Sequence, residues 1–158
     1  MMFRKGTIEG VVVKDIVKFI DERGWLAEVF RKDEMAKESV PLMGYISMTL
    51  PHVSRGPHEH IQQTDNFGFL GPSNFKIYLW DNRKESSTFM VRQIVYAGED
   101  SPKSLLVPPG VAHAYTNVGS KVGMVVNFPN KLFAGEGKKG EIDEVRHEDD
   151  PETIFKLD

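Results

Sequence analysis

Hydrophobic positions in this chain recur mostly at a spacing of two, in short runs that stop at turn residues. From 74 to 80, Phe75, Ile77 and Leu79 alternate with Lys76 and Tyr78, the period of a strand that presents one face to a core. Stretches 10–14, 15–19, 25–30, 43–50, 66–70, 89–96, 103–107 and 121–128 read as further short strands. Turn signals separate them: Asp21-Glu-Arg-Gly24, Gly71-Pro-Ser73, Asp81-Asn-Arg83, Gly98-Glu-Asp-Ser-Pro102, Pro108-Pro-Gly110 and Gly119-Ser120. Only 32–39 reads as a short charged helix, and no segment repeats. This spacing predicts an all-β barrel or sandwich of about six to eight antiparallel strands with short helical pieces, not a βαβ sheet. Phe67, Phe69, Phe75 and Trp80 are the expected strand core. The glycine-rich, charged stretch 134–151 reads as solvated, making 134–158 an extended C-terminal tail with little core of its own.

Composition narrows the function more than the fold. A chain of 158 residues suits one domain, and 40% hydrophobic with 27% charged residues is ordinary for a soluble protein. A net charge of -3 gives no electrostatic case for nucleic acid or an anionic membrane as partner. Zero cysteines exclude a disulfide framework and every thiolate-ligated metal site, and suit a reducing compartment. No apolar run approaches the roughly 20 residues of a membrane helix. The opening Met1-Met-Phe-Arg-Lys-Gly6 lacks the apolar stretch of a signal peptide, so the expected location is the cytoplasm.

Two segments carry the candidate chemistry. The first is Arg55-Gly-Pro-His-Glu-His60, followed by Asp65; the second is Pro108-Pro-Gly-Val-Ala-His-Ala-Tyr-Thr-Asn117. Residues two apart on a strand share a face, so His58 and His60 project together. A third histidine, His113, follows a Pro-Pro-Gly turn, and the expectation is one pocket around the three rings. His52 and His147 read as surface residues, and the Lys138-Lys139 pair as solvated.

The second segment resembles the second cupin signature, proline-x-glycine-x-x-histidine-x-x-x-asparagine, at every fixed position. The first resembles the histidine-x-histidine-x4-acid core of the first signature, with Asp65 where glutamate is usual and the flanking Gly71 one residue early. The resemblance implies a jelly-roll barrel, also called a double-stranded β-helix. It also implies a divalent metal on His58, His60, Asp65 and His113, a donor set that suits iron, manganese, nickel, copper or zinc.

A second resemblance covers more of the chain, from about residue 8 to 151. Asp21-Glu-Arg-Gly-Trp-Leu-Ala-Glu-Val-Phe30, Arg55-Gly-Pro-His58, Asp81-Asn-Arg-Lys-Glu-Ser-Ser-Thr-Phe89, Val107-Pro-Pro-Gly-Val-Ala-His113 and, loosely, 146–151 are similar to five ordered segments of the dTDP-4-dehydrorhamnose 3,5-epimerase family. That family is itself a cupin jelly roll. The resemblance implies a cofactor-free isomerase that removes protons α to the C4 carbonyl of a dTDP-4-keto-6-deoxyhexose, with His58 as base and Asp150 as its supporting carboxylate. It places Arg23, Glu28, Arg55, Arg83 and His113 at a nucleotide-sugar pocket. It further implies a homodimer formed through N-terminal strands, here 7–14. Two family groups have no counterpart. No lysine follows His58 within Gln62-Gln-Thr-Asp-Asn66, and the strand after His113 offers Val126 or Asn127 instead of a tyrosine; Tyr115 reads as core. The family's glutamine two residues after the base is His60. Losing a cation while gaining a histidine and a carboxylate is also what a metal-based replacement looks like, with the ion polarising the C4 carbonyl. Three readings follow: an epimerase, a metal-dependent cupin acting on another small carbonyl or acid compound, and a sugar-binding cupin without catalysis.

Overall fold

A computed structural model describes residues 2–158. The described residues form strands β1 (Arg4–Lys5), β2 (Val12–Asp15), β3 (Lys18–Asp21), β4 (Gly24–Ala27), β5 (Tyr45–Thr49), β6 (Ser54–Glu59), β7 (Asp65–Phe69), β8 (Asn74–Asp81), β9 (Val91–Gly98), β10 (Lys103–Val107), β11 (Val111–Asn117), β12 (Gly123–Asn127) and β13 (Val145–Arg146). One sheet has the order β1-β9-β8-β11-β6-β13 and a second the order β2-β10-β7-β12-β5, while β3 and β4 pair only with each other. All pairings are antiparallel except that of β1 with β9. The charged stretch read as a helix forms two single 3-10 turns, Lys32–Glu34 and Lys37–Ser39, with extended backbone at Met35 and Ala36 between them. No helix among the described residues is long and apolar enough to cross a membrane.

Alternation builds the core. Phe75, Ile77 and Leu79 of β8 meet Phe67 and Phe69 of β7, Leu105 and Val107 of β10, and Tyr115 of β11 between the two sheets. Trp80 is buried as expected but on the opposite face of β8. There it joins Tyr78, Ala112 and Ala114 in a second cluster, covered by Phe155. That cover corrects the reading of the tail as solvated. The segment is extended, but β13 adds a strand to the edge of β6, and Phe155 is only 3% exposed. His147, read as a surface residue, is half-buried against Phe155, and its Nε2 lies 3.1 Å from Glu59. The tail lies across the same end of the barrel as the histidines.

Candidate active site

His58 on β6 stands directly opposite His113 on β11. Opposed residues share a sheet face, and the two rings meet edge to face with centroids 4.5 Å apart. Below this pair the register shifts: Arg55 opposes Tyr115, so β6 takes three steps where β11 takes two. The extra residue is a β-bulge at Gly56-Pro57, and it turns Arg55 and His58 to the same side although they are an odd number apart. Gly56 sits at φ 80, and a Cβ there would lie 2.6 Å from the His113 carbonyl oxygen, so the close passage of β6 over β11 requires glycine. His60, just past the end of β6, completes the group. Its ring centroid is 5.8 Å from that of His58 and 5.9 Å from that of His113, and one nitrogen from each ring lies within 4.8 Å of the others.

Each ring is held differently. His113 Nδ1 lies 3.0 Å from the Val111 carbonyl, which only accepts, so Nδ1 carries the proton. His113 Nε2 is buried, makes no hydrogen bond within the described residues, and faces Asp65 Oδ2 at 3.3 Å. His60 Nδ1 donates to the Asp143 carbonyl, and its Nε2 is 3.1 Å from Asp65 Oδ2. Burial pushes the His60 imidazole down, but the Asp65 contact outweighs it and lifts the pKa to about 9. Burial likewise raises the Asp65 carboxyl, and the His113 and His60 contacts overcome that and hold it far below the usual carboxylate range. His60 and Asp65 are thus a buried ion pair. The His58 ring makes no hydrogen bond to another described residue. Burial, and then His113, push it down to about 2, so it is a neutral imidazole at the barrel mouth.

The remaining expected site residues scatter. Asp150 is exposed and accepts from the Glu152 amide. The carboxylates beside His58 Nδ1 are instead Glu144 at 3.9 Å and Glu148 at 4.0 Å, both brought in by the tail and both paired with Arg146. Arg55 reaches β5, donating to Thr49 Oγ1 and the Met48 carbonyl. Arg83 is tied to buried Asp81 and to the Glu9 carbonyl, and its side chain packs on Gly110, which orients it as a brace of the Pro-Pro-Gly turn. Arg23 projects from the β3–β4 hairpin and bonds Asp21. Glu28 pairs with Arg31 in a cleft of about 460 Å³ on the outer face of the β2-β10-β7 sheet, a cleft that contains no histidine. A smaller cavity of about 280 Å³ adjoins the histidines, lined by Tyr45, His60, Gln63, Asp143, Glu144 and Lys138 among others. Lys138, read as solvated, is exposed at its rim. Sequence reasoning missed Tyr45, Asp143, Glu144 and Glu148. The acidic runs at 143–144 and 148–150 were the available signal, but only the docking of the tail shows which acids reach His58.

With this geometry in place, comparison with known proteins is decisive. Residues 5–143 match the family model described as dTDP-4-dehydrorhamnose 3,5-epimerase. The chain belongs to that family. It is 34% identical over 147 residues to the spore coat polysaccharide biosynthesis protein SpsL of Bacillus subtilis (strain 168), covering 93% of each chain. It is 32% identical over 127 residues to the probable low-salt glycan biosynthesis epimerase Agl13 of Haloferax volcanii, covering 80% of this chain and 81% of that one. Its fold is that of a dTDP sugar isomerase from Desulfovibrio desulfuricans G20, with TM-score 0.76 and 22% identity over 88% of this chain and 84% of that chain. An epimerase RmlC from Legionella pneumophila Philadelphia 1, in complex with dTDP-4-keto-L-rhamnose, superposes with TM-score 0.74 at 16% identity, covering 91% and 76%. Members of this epimerase family thus share the cupin-type jelly roll found here.

Proposed function

We propose that this chain is a cytoplasmic, homodimeric sugar-nucleotide epimerase acting on a dTDP-4-keto-6-deoxyhexose, with His58 removing a proton α to the C4 carbonyl. The observation that carries this reading is the placement of His58: opposite His113 at the mouth of a family barrel, its ring bonded to no other described residue. Abstraction requires a free imidazole lone pair, and His58 is the one member of the triad not committed to another residue. The imidazolium formed on proton transfer faces Glu144 and Glu148, which take the supporting role expected of Asp150. His60, kept cationic by Asp65, supplies positive charge near the developing enolate in place of the absent lysine. Arg55 and Arg83 remain candidates for the nucleotide, together with Arg23 and Glu28.

A second reading is favoured by one observation: nitrogens of His58, His60 and His113 lie within 4.8 Å of one another. The backbone bonds at Nδ1 of His60 and His113 leave both Nε2 atoms aimed at Asp65, the arrangement in which ligating histidines are usually held. The donor set therefore fits a divalent ion on His58, His60, His113 and Asp65, which would supply Lewis-acid polarisation of a carbonyl.

Proton exchange in D₂O with a dTDP-4-keto-6-deoxy sugar, followed by NMR at C3 and C5, tests the first reading. Wild-type protein should exchange both protons, and His58→Asn should lose exchange by about a hundredfold or more. Exchange that continues undiminished in His58→Asn, or that is absent from the unmutated protein, removes the assignment. A chelator leaves the rate unchanged in the first reading and abolishes it in the second.

A further inference from the structure

Epimerisation needs a proton from the face opposite the base, and β12 carries no acidic hydrogen. Its terminal residue Asn127 is 2% exposed and points inward. Its cross-strand partner on β5 is Tyr45, which therefore shares the inward face and stands at the barrel mouth, 45% exposed. The hydrogen bonds of Asn127 fix its orientation. Oδ1 accepts from the Asn66 backbone N–H at 3.1 Å, so Nδ2 lies on the other side. Nδ2 then donates to Asp65 Oδ1 at 2.9 Å and to the Tyr45 hydroxyl oxygen at 2.9 Å. The carboxylate accepts only, which leaves no alternative orientation of the amide. Tyr45 Oη is thus an acceptor in this contact, and its own O–H finds no acceptor among the described residues. That free proton lies at the cavity shared with His60 and Glu144, and Glu144 also borders His58.

We propose that Tyr45 is the proton donor of the reaction, acting from β5 on the face of the substrate opposite His58. The assignment rests on the epimerase reading given above. In the step, the C–H bond α to the ketone breaks, its proton goes to His58 and its electron pair forms the enolate. The enolate pair then forms a new C–H bond on the opposite face with the Tyr45 hydroxyl proton. The phenolate left on Oη is stabilised by the Asn127 N–H, and solvent reprotonates it while His58 returns its proton to solvent. Burial, with a further contribution from Asp65, raises the Tyr45 phenol to about 12, so the proton is present throughout the working range.

Tyr45→Phe separates this role from a structural one, because it keeps the ring on a half-open site and removes only the hydroxyl. With a dTDP-4-keto-6-deoxy sugar in D₂O, Tyr45→Phe should invert configuration about a hundredfold more slowly than wild type. His58 should still wash deuterium into the α position with retention, within a few-fold of the wild-type exchange rate, and KM should stay within about twofold. His58→Asn should lose both exchange and inversion. Inversion within a few-fold of wild type in Tyr45→Phe overturns the proposal. So does exchange that falls in parallel with inversion, since that marks a positioning effect. An unmutated protein that neither exchanges nor inverts overturns the epimerase reading itself, and Tyr45 with it.

Discussion

At the scale of single residues, the three histidines illustrate how one fold sets opposite protonation states a few ångströms apart. His58 loses water and gains no partner, so its neutral form is favoured; His60 loses water but gains a carboxylate, so its charged form is favoured. The consequence for catalysis is a shifted acid limb. A solvated histidine base would lose activity below about pH 6.5, whereas His58, with its pKa near 2, stays unprotonated. The expected kcat/KM profile is therefore flat from about pH 8 down to about pH 5, and an acid limb with an apparent pKa near 6.5 would show that His58 is solvated in the working enzyme. The consequence for stability has the opposite sign at His60. Its folded pKa is raised from 6.5 to about 9, so its contribution is fully present below pH 6.5 and is lost as pH rises through about 9. The convergence of His58, His60 and His113 was legible from strand parity and the Pro-Pro-Gly turn. Their protonation states were not, because these depend on burial and, at His60, on Asp143 and Asp65 meeting its two ring nitrogens although they are about half the chain apart. The sequence reading expected Asp150 to favour protonated His58; the acids beside His58 are instead Glu144 and Glu148, at 3.9 and 4.0 Å, each also paired with Arg146.

At the scale of elements, the tail decides what surrounds His58. The Asp143 carboxylate accepts the backbone N–H groups of Ile61, Gln62 and Gln63 at 2.8, 2.9 and 2.8 Å, which fastens the loop after β6 to the tail. β13 then pairs with β6, and Phe155 closes over Trp80 and Ala112. A charged, glycine-rich composition suggested a solvated segment because the local sequence shows no periodic apolar face. The contacts that hold it are non-local, among them a carboxylate in a nest of amides, the β13–β6 pairing, one buried aromatic ring and the ion pairs of Asp158 with Lys76 and Arg92, and composition registers none of them. The barrel strands, by contrast, were legible because alternation is local; β8 and β10 were read within a residue of their limits. Phe155→Ala should cost about 3 kcal/mol of stability, as truncation of a buried phenylalanine does. Hydrogen exchange should quicken selectively at Val145, Arg146 and the β6 amides facing them. Uniform quickening across both sheets would instead mean that Phe155 belongs to the main core.

At the scale of the whole molecule, the β3–β4 hairpin does not fit an isolated barrel. It pairs with no other strand among the described residues, yet Phe19, Ile20, Trp25 and Leu26 are 62%, 79%, 51% and 69% exposed. Adjacent β2, within the stretch expected at a dimer contact, is exposed along its whole length at the edge of its sheet. Apolar side chains clustered on a projecting hairpin suit an interaction surface, and the homodimer proposed above would cover them with a second copy. The same hairpin holds Arg23, which among the described residues bonds only Asp21, and no hairpin residue lines the cavity beside the histidines. Arg23 can serve a nucleotide pocket, as the resemblance implies, if the hairpin reaches across a two-fold axis to the mouth of the second copy. Complementation distinguishes this from service at its own site. Arg23→Ala and His58→Asn proteins, each inactive alone, should regain about a quarter of wild-type activity when unfolded together and refolded. Half of the dimers are then mixed, and each mixed dimer holds one pocket with both residues intact. If Arg23 acts in its own barrel, no pocket in the mixture is whole and the activity stays at the level of the separate variants, even where light scattering confirms that mixed dimers have formed.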